Sequence, residues 1–68
     1  MDDAHDSATR WLPIVRAEYR EMPGLQLTSS QVKRLWTLDE SVCKTILSAL
    51  VNERFLRVTA KGRYAIAA

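Results

Sequence analysis

Apolar positions recur along this chain at helical spacing in three stretches and then alternate in two shorter ones. The sharpest pattern runs from Thr28 to Asn52. Val32, Leu35 and Trp36 mark the inner side of a short helix, with Lys33 and Arg34 facing outward. Thr37-Leu38-Asp39 reads as a turn. Val42, Cys43, Ile46, Leu47, Leu50 and Val51 then form one broad face of a longer helix from Glu40 to Asn52. Two helices joined by so short a turn must cross steeply, as in a helix-turn-helix.

Local start signals agree with these boundaries. Thr28 and Gln31 have the spacing of a capping box, and Leu27 and Val32 that of a hydrophobic staple. Asp39 is the expected N-cap of the second of these helices, with Leu38 opposite Cys43 as its staple.

Upstream, Trp11, Leu12, Val15, Tyr19 and Met22 share a face, which predicts a helix from about Thr9 to Met22. Pro13 suits only a first helical turn, so the regular helix should begin near Arg10 to Leu12 or be kinked there. Residues 1–8 are polar and acidic and read as a flexible tail before a single domain over residues 9–68. Pro23-Gly24 ends the helix, and Leu25-Gln26-Leu27 can supply one short strand.

Downstream, Phe55 to Thr59 and Arg63 to Ile66 read as two strands around the turn Ala60-Lys61-Gly62. Leu56 and Val58 share one face, as do Tyr64 and Ile66, while Arg57 and Arg63 point the other way. Gly62 can take the positive φ that such a turn needs. The expected fold class is α+β: three helices, a short strand and a two-stranded C-terminal hairpin.

Composition adds limits. At 68 residues the chain can bury only a marginal core, so a homodimer would help stabilise it. No apolar run approaches the roughly 18 residues that span a membrane. The acidic start Met1-Asp2-Asp3 predicts no signal peptide, and a single cysteine suits the reducing cytoplasm. Cys43 sits within the apolar face and reads as an inert buried thiol. His5, the only histidine, has no metal-ligand neighbours at useful spacing, so no metal or cofactor is implied. Nothing resembles a catalytic set or a phosphate-binding loop, so an enzyme is not expected.

Charge is distributed unevenly. Residues 1–23 carry three arginines against five acidic residues, a balance of −2. Residues 24–68 carry seven basic against three acidic residues, a balance of +4. The basic excess thus coincides with the helix-turn-helix and hairpin, where a nucleic-acid surface would lie. On the helix from Glu40 to Asn52, Ser41, Lys44, Thr45, Ser48 and Asn52 form a stripe opposite the apolar face. Small polar side chains let a helix enter a major groove and still reach base edges. Asp39 and Glu40 weigh against that, since they bring negative charge to the same end.

Leu27-Thr28-x-x-Gln31, Leu35-Trp36-x-Leu38-Asp39, Cys43-x-x-Ile46-Leu47-x-x-Leu50-Val51, Phe55-Leu56 and Gly62-x-Tyr64 together resemble the winged helix-turn-helix domains of bacterial transcriptional regulators. The stretch from Met22 to Thr28 also resembles the Met-Pro-Gly-Leu-x-Leu-Thr segment of short stand-alone bacterial winged-helix proteins. The resemblance covers about residues 10–66. It implies that residues 40–52 form a recognition helix and residues 55–66 a wing. It makes Ser41, Lys44, Thr45 and Ser48 candidate base readers, and Lys33, Arg34, Lys61 and Arg63 candidate phosphate contacts. Arg54 departs from the pattern, because many relatives have glycine there, and the wing is short. The implied partner is double-stranded DNA, bound by a transcriptional regulator. The alternative is a winged-helix module that joins a larger complex through protein contacts without touching DNA.

Overall fold

The computed structural model describes residues 3–67 and is α+β. Helix α1 spans Asp3–Glu21, strand β1 Gln26–Leu27, helix α2 Ser29–Leu35, helix α3 Glu40–Asn52, strand β2 Leu56–Val58 and strand β3 Tyr64–Ile66. The three strands form one antiparallel sheet in the order β1-β3-β2. This order of elements is consistent with a small winged-helix-like arrangement.

Helix α3 is the centre of the core. Val42, Cys43, Ile46, Leu47 and Leu50 are buried, and the helix packs on α1, α2 and β2. From α1 come Ala8, Val15 and Tyr19, from α2 Val32, from the turn Leu38 and from β2 Leu56. Trp11, Leu12, Trp36, Phe55, Tyr64 and Ile66 pack around this centre half-buried.

Helix α1 differs from expectation at both ends. It is already helical at Asp3, where a tail before the domain was expected; Met1 and Asp2 lie outside the described residues. The reason is Ala8, which is only 2% exposed and anchors this segment to the core. Pro13 therefore lies inside the helix, on its exposed side, rather than in its first turn. At the other end Met22 falls beyond the helix and is 48% exposed.

Both helix-to-helix and helix-to-strand junctions use the same device. After α2, the Leu38 N–H donates to the Lys33 carbonyl at 2.8 Å and the Thr37 N–H to the Arg34 carbonyl at 3.4 Å. After α3, the Phe55 N–H donates to the Leu50 carbonyl and the Arg54 N–H to the Val51 carbonyl, each at 2.9 Å. These are the paired bonds of a Schellman ending, which needs a left-handed residue just past the cap. Here that residue is Thr37 (φ 51°) and Arg54 (φ 64°), not glycine. Helix α3 ends at Asn52 with Glu53 as its C-cap, and Arg54, which stands where many relatives of the resembled family have glycine, takes the left-handed conformation.

The sheet positions the hairpin. Leu56 pairs with Ile66, Arg57 with Ala65 and Val58 with Tyr64, while β1 sets Gln26 opposite Ala65 and Leu27 opposite Tyr64. Leu27, Tyr64, Leu56, Ile66 and Val58 therefore share one face, the one that meets the helices. Val58, at the far end of β2, is 52% exposed. The β2–β3 loop is a turn closed by Gly62 N–H to the Thr59 carbonyl at 2.9 Å, followed by Gly62 at φ 75°. The Thr59 hydroxyl also accepts from the Arg63 N–H at 3.1 Å.

Candidate nucleic-acid interface

The geometry of the site starts with how α2 begins. Thr28 Oγ1 accepts from the Gln31 N–H at 3.2 Å, and Gln31 Oε1 accepts from the Thr28 N–H at 2.9 Å. This complete capping box fixes the first turn of a helix only seven residues long. Lys33 and Arg34 then fall on the exposed side, as expected. Leu35 does not face the core: it is 58% exposed, beside Leu27, Gln31 and Arg34. So short a helix offers one inward position per turn, and Val32 and Trp36 fill both.

Helix α3 starts without the expected side-chain cap. Asp39 has the extended backbone of an N-cap, but its carboxylate makes no capping bond. The expected staple partners Leu38 and Cys43 are both buried in the core. The Cys43 thiol lies 3.5 Å from the Ser29 carbonyl, joining α3 to the start of α2. Burial pushes the Cys43 thiol pKa up; nearby Lys33 pulls it down and Glu40 pushes it up further. A protonated, 3%-exposed thiol is a packing group here rather than a nucleophile.

The candidate base readers are disposed unequally. Ser41, Lys44 and Ser48 are exposed along α3. Thr45 is half-buried, and its hydroxyl donates back to the Ser41 carbonyl at 2.9 Å. That bond uses the only proton Thr45 could give a base edge, leaving it an acceptor and a methyl group. Lys44 and Lys33 are brought together in one shallow cleft lined by Ser29, Ser30, Lys33, Glu40, Cys43 and Lys44. Arg34 borders the neighbouring depression with Ser30, Lys33, Thr37 and Leu38. Ser48 opens into a third cleft, between α3 and the hairpin, with Asn52, Val58 and Tyr64. Lys61 lies in the β2–β3 turn and Arg63 at its end, both exposed.

Glu40 was not among the expected contacts, yet it occupies the middle of the basic cleft. One carboxylate oxygen lies 3.6 Å from Lys33 Nζ and the other 3.6 Å from Lys44 Nζ. The Glu40–Lys44 pair has i,i+4 spacing and is legible in the sequence. The Lys33 pair depends on how α2 and α3 cross. All three side chains are about half or more exposed, so each pair contributes at most about 1 kcal/mol.

Away from this face, α1 is locked to the α3–β2 junction. Arg16 pairs with Glu53, the Arg20 guanidinium lies 5.6 Å from the Phe55 ring centre, and Tyr19 meets Phe55 edge-on at 6.5 Å. The Tyr19 hydroxyl donates to the Tyr64 carbonyl at 2.8 Å. Burial pushes the Tyr19 pKa up to about 12. These contacts tie α1 to the α3–β2 junction and, through Tyr64, to β3.

Among the described residues no helix is long and apolar enough to cross a membrane. No family model, curated protein or solved structure matches this chain.

Proposed function

We propose that this chain binds double-stranded DNA through α3, with α2 and the β2–β3 hairpin on the flanks. The observation that carries the reading is the exposed stripe Ser41, Lys44 and Ser48, with Lys33 bordering the same cleft as Lys44. Short hydroxyl side chains let a helix axis approach base edges that long side chains would hold away. Lys33, Arg34, Lys61 and Arg63 then meet phosphates and set the register. In this reading α3 is the recognition helix and the hairpin a short wing. The chain acts in the cytoplasm as a transcriptional regulator, and a homodimer reads two half-sites about one helical turn apart. The reading calls for no cofactor and no catalytic chemistry.

A titration of the protein with a mixed-sequence duplex at two salt concentrations tests this. Amide shifts confined to residues 30–48 and 60–64, weakening steeply with salt, are expected. No shifts at low salt would reject it.

A second reading, docking on a protein partner, is favoured by one observation. Leu35 is exposed beside Leu27, an apolar feature that DNA contact does not use. It predicts partner capture that survives nuclease treatment and is lost in Leu35→Glu.

A further inference from the structure

Four large apolar side chains are exposed among the described residues, and Ile14, at 45%, is the one on α1. It stands in a face of four exposed residues, Arg10, Ile14, Ala17 and Glu21. On a wheel of 100° per residue these fall within about 60° of one another, roughly opposite the buried Ala8, Val15 and Tyr19. Their spacings are four, three and four residues, which read the same in either direction. We infer that this face of α1 is a homodimer interface, packed antiparallel on the same face of a second copy across a two-fold axis; this rests on the homodimer of the reading above and not on its DNA contact.

The face complements itself. A two-fold interface sets one residue against a second and the second against the first. In an antiparallel pair centred between Val15 and Arg16, Arg10 lies opposite the partner's Glu21, and Ile14 opposite the partner's Ala17. Each pairing occurs twice. A large apolar side chain thus seats on a small one at the centre, as close helix packing needs. A base meets an acid at each end. A parallel pairing would instead set Arg10 against Arg10 and Glu21 against Glu21, like charges that repel. Both charges are available for the pairing. Of the arginines of α1, Arg16 pairs with Glu53 and Arg20 lies over the Phe55 ring, whereas Arg10 has no charge partner among the described residues. Glu21 likewise has none among them. It is also the last residue of α1, where the helix dipole disfavours an acid and a facing cation offsets that. Because α3 packs on the inner side of α1, the pairing leaves Ser41, Lys44 and Ser48 exposed. One helix pair buries a small area, so the dimer should be weak and concentration-dependent.

Sedimentation equilibrium of the protein without DNA, over about 10 μM to 1 mM, tests this. The native protein and Arg57→Glu, which changes net charge equally on the exposed hairpin, are expected to dimerise alike. Arg10→Glu and Glu21→Arg are each expected to weaken the dimer about tenfold, since each sets like charges at both ends. The double variant Arg10→Glu/Glu21→Arg is expected to regain the native affinity, because it restores opposite charges at both ends. Ile14→Glu is expected to abolish the dimer. An unchanged amide spectrum away from α1 shows that each variant is folded. If the native protein dimerises and the single variants dimerise equally well, the interface lies elsewhere and the inference falls alone. Weakening that the double variant does not rescue overturns it as well. If the native protein stays monomeric throughout, this inference and the homodimer of the proposed function fall together. An α1 dimer that binds no duplex would overturn the DNA reading and leave this inference standing.

Discussion

At the scale of residues, the strongest local conflict lies at Thr37 and Arg54. Both hold left-handed backbone conformations without glycine, and Thr37 is β-branched. The two helix endings impose this, because each supplies two backbone hydrogen bonds that only a left-handed residue can close. Arg54→Gly is therefore expected to stabilise the fold by about 1 kcal/mol, seen as a higher urea midpoint at unchanged slope. A lower midpoint would mean that the arginine side chain contributes more than its backbone costs. Tyr19 gives a pH signature. Its native pKa of about 12 lies above the unfolded value of 10.0. The folded chain therefore holds its proton where the unfolded chain has lost it. The resulting stability is complete below pH 10 and is lost as pH rises through the window to about 12. The gap between the two values corresponds to about 2 to 3 kcal/mol. Urea midpoints measured across this window should fall more steeply for the native protein than for Tyr19→Phe.

At the scale of elements, α1 shows how burial overrides a local rule. A proline inside a helix costs roughly 3 kcal/mol through its ring and its missing N–H. The helix nevertheless continues upstream of Pro13 because Ala8 and Trp11 pack on the core. Pro13→Ala should restore the N–H that proline lacks and stabilise the fold by about 1 to 3 kcal/mol. Amide hydrogen exchange should slow in residues 8–14 in particular; unchanged exchange there would show that Pro13 costs the helix nothing. The other elements were legible. The Thr28–Gln31 capping box is formed as its spacing predicts, and Gly62 takes the φ its turn needs. Leu35 was misplaced because a seven-residue helix has too few turns to average out an edge position.

At the scale of the whole molecule, charge is the property that matters for function. The acidic excess belongs to residues 1–23 and the basic excess to the rest, which holds α2, α3 and the hairpin. If DNA binds there, Lys44→Glu and Arg34→Glu should each weaken mixed-sequence binding about tenfold or more and flatten its salt dependence. Both residues are exposed, so the thermal midpoint should move little. Binding unchanged in both variants would place the interface elsewhere.

Hydrophobic periodicity, the capping box and the turn glycine are statements about neighbours within a few residues. They determined the three helices, the hairpin and the broad buried face of α3 from the sequence by itself. Three features could be decided only by the tertiary structure. The early start of α1 depends on what buries Ala8. The left-handed Thr37 and Arg54 depend on where the following element must go. The Lys33–Glu40 pair depends on how α2 crosses α3, since the two residues are separated by a turn that local spacing does not describe. Each is a long-range packing requirement, and packing energy outweighs a local preference of about 1 to 3 kcal/mol when the burial is complete.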